Sequence, residues 1–199
     1  MSARAFGPGV FLLRQPGKFA QLTSAAMTLA IRPATAADIP AITRIYAHAV
    51  DYGTASFELM PPDEATMTRR MNELLARKFP YLTAELDGAL AGYAYAAPYR
   101  ERPAYRFTVE NSVYVAPDMH RRGVGKALLE ALIQACTEGG FRLMIAVIGD
   151  SKQIASISVH EATGFKHVGV FENVGYKFDR WLDTVLMQRA LGPGATTPP

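Results

Sequence analysis

Apolar residues recur along the chain at two spacings, and the points where one gives way to the other outline its elements. Residues 29–32 read as a short strand. Thr35-Ala-Ala-Asp38 then opens a helix, because Ile39, Ile42, Ile45, Tyr46 and Ala49 fall at the three-and-four spacing that lines one face. Pro61-Pro62-Asp63 starts a second helix running to about Arg77, with Met67, Met71, Leu74 and Leu75 as its packing stripe. Segments 81–86 and 90–97 flank Asp87-Gly88, a turn pair suited to positive φ, and are expected to pair antiparallel. Residues 106–115 form the next strand. A helix over 124–138 stops at Gly139-Gly140, and Leu143-Met-Ile-Ala-Val-Ile148 follows as an unbroken apolar strand of the kind buried on both faces. That strand, helix and strand imply parallel pairing of the two strands. Residues 151–163 read as a last helix halted by Gly164, before closing strands at about 166–171 and 177–189. The order βααβββαβαββ predicts an α/β (α+β) domain with a mixed sheet of about seven strands and about four helices.

Composition narrows what such a domain can do. At 199 residues, 49% hydrophobic and 20% charged, the chain suits one globular domain over residues 27–191. The net charge is +3 and no Lys/Arg run exceeds two residues, so the clustered basic footprint of a nucleic-acid binder is missing. Mild basicity suits an anionic small molecule equally well. The single cysteine, Cys136, sits in a helical apolar pattern and reads as core, excluding an internal disulfide and a multi-cysteine metal site. His48, His120, His160 and His167 form no His-x-x-x-His pair, so no metal is expected. No apolar run approaches the ~20 residues that span a bilayer, and a cytoplasmic protein is expected. Residues 1–26 carry Arg4, Arg14 and Lys18 without an acid and read as an extension outside the fold, with a transit peptide as the other reading. Residues 192–199 are expected to be a disordered tail.

Chemistry concentrates in Thr108-Val-Glu-Asn-Ser-Val-Tyr-Val-Ala-Pro-Asp-Met-His-Arg-Arg-Gly-Val-Gly-Lys126, where a carboxylate-bearing strand runs into a glycine-rich turn that opens a helix. Gly123 and Gly125 let backbone N–H groups crowd an anion at the helix start, and Arg121, Arg122 and Lys126 add positive charge. A P-loop needs four residues between its first glycine and Gly-Lys, and a dinucleotide fingerprint needs a glycine where Leu128 stands, so neither is present. Strand alternation puts Glu110, Ser112 and Tyr114 on one face, which makes Glu110 a candidate base; pairing with Arg106 or another sheet arginine is the plainer alternative. Tyr99-Arg-Glu-Arg-Pro-Ala-Tyr-Arg106 brings arginine forks suited to carboxylate, phosphinate or sulfone oxygens, or else forms a solvated loop.

The glycine turn is similar to the Arg/Gln-x-x-Gly-x-Gly/Ala loop of the GNAT superfamily of N-acetyltransferases. Together with Ala146-Val-Ile-Gly, His160-Glu-Ala-Thr-Gly-Phe and Gly175-Tyr-Lys-Phe-Asp-Arg-Trp181, residues 31–191 resemble its phosphinothricin and methionine-sulfoximine acetyltransferase group. That resemblance implies a GNAT fold whose central strands splay around acetyl-CoA, with direct acetyl transfer to a small amino-acid-like amine, a role in herbicide or antibiotic resistance, and a homodimer. It implies Glu110 as base, His160 as acid toward the departing thiolate, and the Val115 N–H as oxyanion donor. Cofactor contacts fall on Val113, Tyr114, Val115, Arg121, Arg122, Gly123, Val124, Gly125, Lys126, Gln153 and Ser156, and acceptor contacts on Phe57, Arg100, Glu101, Arg102, Glu110 and Lys177, with Phe178 and Trp181 beside Lys177 on the opposite wall.

Two departures stand out: His120 occupies the loop's first position, and Lys152-Gln153 replaces an asparagine. A space-filling helix histidine is the alternative for His160. Acetylation of another amine, such as a drug or a protein N-terminus, and a non-catalytic acyl-CoA-binding module are the other readings of the whole.

Overall fold

The computed structural model describes residues 28–198; the segment expected to precede the fold, residues 1–26, lies outside them. Seven strands form one sheet in the order β1-β2-β3-β4-β5-β7-β6. They are β1 (Leu29–Pro33), β2 (Tyr81–Leu86), β3 (Ala89–Pro98), β4 (Thr108–Val115), β5 (Leu143–Gly149), β6 (Lys166–Lys177) and β7 (Arg180–Ala190). Four helices flank them: α1 (Ile39–Tyr52), α2 (Glu64–Ala76), α3 (Val124–Glu138) and α4 (Ile154–Ala162). Only β4 and β5 run parallel, joined across α3 as the strand-helix-strand order predicts.

Each face of the sheet carries its own core. Under α3, Val124, Leu128, Leu129, Leu132 and Cys136 pack on Val109, Met144, Ala146 and Met187. Burial pushes the Cys136 thiol up to about 12, so it is an inert core residue. The other core is rich in tyrosine, with Ile42, Ile45 and Tyr46 of α1 and Met67 and Met71 of α2 covering Tyr81 and Tyr93. Leu75, expected in the α2 stripe, is 39% exposed, because the face that holds Met67 and Met71 continues to Leu74 instead. The β5 strand departs from double-sided burial. Met144, Ala146 and Ile148 are buried, whereas Leu143 and Ile145 are half-buried and Val147 is 39% exposed. The reason lies in its opposite face, which α1 and α2 do not cover and which borders a cavity.

The closing hairpin is longer than the apolar pattern suggests. β6 continues to Lys177 through irregular registers at His167/Gly169 and Phe171/Gly175, and its residues are nearly all exposed. Alternation is lost at these bulges, which hides the strand from a period-two reading. Beyond β7, Arg142 donates to the carbonyls of Gly194 and Pro198, giving residues 192–198 contacts with the domain.

Where the chain leaves β1, Arg32 donates to both Asp38 oxygens (2.8 and 2.7 Å) and through Nε to Glu85 (2.9 Å), while the Thr35 N–H donates to Asp38 (2.7 Å). The Arg32 hydrogen bonds, against burial and with help from Thr35, hold the Asp38 carboxyl down to about 2 from 3.8. A carboxyl whose folded value lies below its unfolded one adds stability that is complete above the unfolded value and lost as pH falls through the folded one. The excess stability of wild type over Asp38→Asn in urea melts should therefore shrink as pH drops from 5 to about 2. A difference that stays constant over that range would remove Asp38 from the acid response.

Candidate active site

The central feature is a fork in the sheet. β4 and β5 pair from Thr108↔Leu143 to Asn111↔Ala146 and no further, although β4 stays on β3 to Val115 and β5 stays on β7 to Gly149. Between the diverging strands lies a cavity of about 360 Å³, lined by Glu110, Ser112, Val113 and Tyr114 of β4, Val147 to Gly149 of β5, and Ser156 and His160 of α4. Since the Ala116 N–H donates to the Ala91 carbonyl across β3, alternation turns the N–H groups of Val113 and Val115 away from β3, toward the opening.

Asn111 sits where the strands part. Its Nδ2 donates to the Ile145 carbonyl (3.0 Å), which aims Oδ1 at His160 Nε2, 3.0 Å away. His160 Nδ1 faces the Ser156 carbonyl at 2.8 Å, so each ring nitrogen faces a protein oxygen, and a neutral ring, with one N–H, donates to one of them. Burial pulls the imidazole below its ordinary value, and the Ser156 carbonyl offsets part of that pull.

Glu110 lies on the opposite sheet face, in the row of Tyr95 and Tyr93. It is half-buried and, among the described residues, makes no ion pair, so the alternative of a pairing with Arg106 is not formed; Arg106 instead lies over Phe107. Desolvation raises the Glu110 carboxyl above its ordinary 4.5, with the charge of Arg100 opposing. Arg100, Glu101 and Arg102 line a separate cleft with Tyr99 and Tyr105, where Arg100 lies over the Tyr99 ring and Glu101 pairs with Arg77. A third cavity, of about 300 Å³, shares Tyr95 with the fork and adds Tyr46, Glu58, Arg70 and Tyr81.

The glycine turn closes the far end of β4. Arg121 and Gly123 take positive φ (60° and 81°), which swings the chain into α3 at Val124. Ala127 is the first residue of the helix to bond back, to the Gly123 carbonyl, so the N–H groups of Val124, Gly125 and Lys126 precede the ladder at its positive end. A Cβ on Gly125 would sit 3.4 Å from Val115 Cγ2, and His120 Nε2 lies 3.2 Å from the Val115 carbonyl, so this turn rests against the strand end. Arg121, Arg122 and Lys126 are exposed around it. That set suits a phosphate-bearing ligand.

Two expected contacts are engaged elsewhere. Gln153 Nε2 donates to Thr54 Oγ1 (2.9 Å), and the Lys177 ammonium donates to the backbone carbonyls of Gly53 and Ser56. Phe57 lines the fork cavity. Asn111 was missed, although a polar residue between Val109 and Val113 on an apolar strand face is a readable signal. A larger open groove of about 1170 Å³ at the opposite end of the sheet contains none of the anticipated site residues. Among the described residues no cluster of His, Cys, Asp or Glu is placed to hold a metal ion, and no helix is long and apolar enough to cross a membrane.

Residues 31–186 match the profile of the acetyltransferase (GNAT) domain. The chain belongs to the GNAT acetyltransferase family. It is 56% identical over 162 residues to a phosphinothricin N-acetyltransferase of Alcaligenes faecalis, covering 81% of this chain and 82% of that one. An L-methionine sulfoximine/L-methionine sulfone acetyltransferase of Pseudomonas paraeruginosa is 38% identical over 86% of this chain and 100% of its own length. The crystal structure of a GNAT superfamily phosphinothricin acetyltransferase from Sinorhizobium meliloti in complex with AcCoA superposes with a TM-score of 0.84 at 46% identity, over 86% of this chain and 93% of that one. The GNAT topology and the splayed strands are thus as the motifs implied.

Replacing Asn111 by leucine removes the amide that meets the Ile145 carbonyl and leaves one His160 nitrogen without its partner in the interior. Urea melts should show a loss of about 1–3 kcal/mol, and an unchanged midpoint would mean the fork does not depend on this amide.

Proposed function

We propose that the protein transfers the acetyl group of acetyl-CoA directly to the α-amine of a small amino-acid-like acceptor of the phosphinothricin, methionine sulfoximine or methionine sulfone type. The observation that carries this reading is Glu110, a half-buried carboxylate without an ion pair among the described residues, at a fork that opens toward the backbone N–H groups of Val113 and Val115 and a glycine turn. The names borne by the relatives point to the same acceptor class. Glu110 takes a proton from the acceptor's ammonium, directly or through water, freeing the nitrogen lone pair. The new C–N bond forms as the thioester carbonyl becomes an oxyanion, which the Val115 N–H meets. Collapse breaks the C–S bond, and the proton shed by the newly acylated nitrogen ends on the departing thiolate.

Val113, Tyr114 and Ser156 border the pantetheine path, and Arg121 to Lys126 hold the pyrophosphate. Because both nitrogens of His160 are in contact with protein oxygens, bracing α4 against β4 is better supported for it than direct protonation of the thiolate. Arg100 and Arg102 guide the acceptor carboxylate toward Glu110, and the cavity shared by Tyr95 and Arg70 extends the room for its side chain. Acetylation removes the amine's charge and would confer resistance where the acceptor is an inhibitory amino-acid analogue. We place the enzyme in the cytoplasm, where acetyl-CoA is supplied.

We also propose a homodimer through the outer hairpin. Val168, Val170, Phe171, Val174 and Tyr176 are each at least 47% exposed along β6, a density of surface apolar groups that calls for a partner. Sedimentation should return the mass of two chains for wild type and of one for Phe171→Glu; a monomeric wild type would end this reading.

CoA release measured with phosphinothricin, methionine sulfoximine, methionine sulfone and a peptide N-terminus as competing acceptors tests the function. Turnover of the peptide alone would move the acceptor class, and CoA binding without turnover of any amine would make the protein a binding module. Glu110→Gln should lower kcat by about 100-fold or more with little change in the KM for acetyl-CoA. Since the base must be ionised and its carboxyl is raised, wild-type kcat/KM should fall as pH drops through a value above 4.5. Near-wild-type turnover of Glu110→Gln at neutral pH would remove Glu110 from this role.

A further inference from the structure

Lys177, at the end of β6, is only 5% exposed. Its ammonium donates to the carbonyls of Gly53 (3.0 Å) and Ser56 (2.8 Å), two residues of the turn that leaves α1. Taking an ammonium out of water is costly, and here burial depresses its proton affinity while Asp51 and Glu58 act in the opposite sense. The groups that compensate the charge are carbonyls just past the C-terminus of α1, the end of a helix that favours a cation.

Two glycines complete the arrangement. A Cβ on Gly149 would lie 2.1 Å from the Thr54 carbonyl oxygen, and one on Gly175 would lie 2.3 Å from Phe57 Cε2. At Gly149 the obstacle is backbone, so a side chain there requires the turn to lift, and at Gly175 it is the Phe57 ring, which a side chain would push aside. Thr54 Oγ1 in turn donates to the Gly149 carbonyl (3.3 Å) and accepts from Gln153 Nε2 (2.9 Å). Residues 53–57 are thus seated on the ends of β5 and β6 and on the start of α4, and Ser56 and Phe57 face the fork cavity as its roof.

We propose that Lys177 is a positioning residue that sets the height of this roof, and with it the fit of the acceptor, without touching the acceptor itself. The kinetic readout rests on the acetyl-transfer function proposed above. With methionine sulfone and phosphinothricin as acceptors, Lys177→Met and Gly175→Ala should each raise the acceptor KM by about tenfold or more, while the KM for acetyl-CoA moves by less than about twofold. Lys177→Gln, which keeps an N–H donor, should fall between Lys177→Met and wild type. The same amides, those of residues 53–58, should exchange hydrogen faster in Lys177→Met, with α3 and β4 unchanged. Equal losses in both KM values, or an acceptor KM and exchange pattern like wild type, would overturn the proposal. If wild type turned over neither acceptor, the function would fail, and the exchange experiment would still decide whether Lys177 fastens the turn.

Discussion

An interior sheet that opens at its centre must find partners for the backbone it uncovers, and that requirement governs the middle of this molecule. The Ile145 carbonyl, at the last stretch of β4–β5 pairing, also accepts from the Asn111 side-chain amide. One residue thereby stabilises the crotch of the fork and anchors α4 through His160. The N–H groups of Val113 and Val115 are left facing the gap, where a bound ligand can supply what the neighbouring strand does not. Divergence of the strands and capacity for backbone recognition have one cause.

The two faces of the sheet meet at this gap with different chemistry. Beneath α3 the core is aliphatic; beneath α1 and α2 it is stacked tyrosine, with Tyr93 parallel to Tyr81, Tyr95 and Tyr114 at ring separations between 5.1 and 6.3 Å. Burial raises these phenols, so they remain neutral. Glu110 stands at the edge of that tyrosine surface. Its raised carboxyl reflects a setting with much hydrocarbon and little water, which makes a poorly solvated carboxylate a better proton acceptor.

Much of this architecture was legible in the chain. Residues 39–50 and 124–136 carry helical stripes that pack as their spacing dictates, Asp87-Gly88 does make the tight turn between β2 and β3, and the glycine run does open α3. Elements whose form is set by distant partners were less readable. β6 extends past Phe171 because β7 pairs with it through two irregular registers that break alternation. Lys177 reads as a pocket cation from its residue type, yet its partners are carbonyls 121 and 124 positions away, which local spacing cannot reveal. Gln153 is likewise drawn to a turn 99 residues distant.

The outer hairpin also carries Trp181, the only tryptophan in the chain. It is 61% exposed and meets Tyr176 edge-on at 5.3 Å, well away from both cores. The strongest intrinsic fluorophore is therefore already near water in the folded state. Emission from this protein is a sensitive reporter of whatever covers the hairpin and a poor reporter of whether the sheet beneath α3 has come apart.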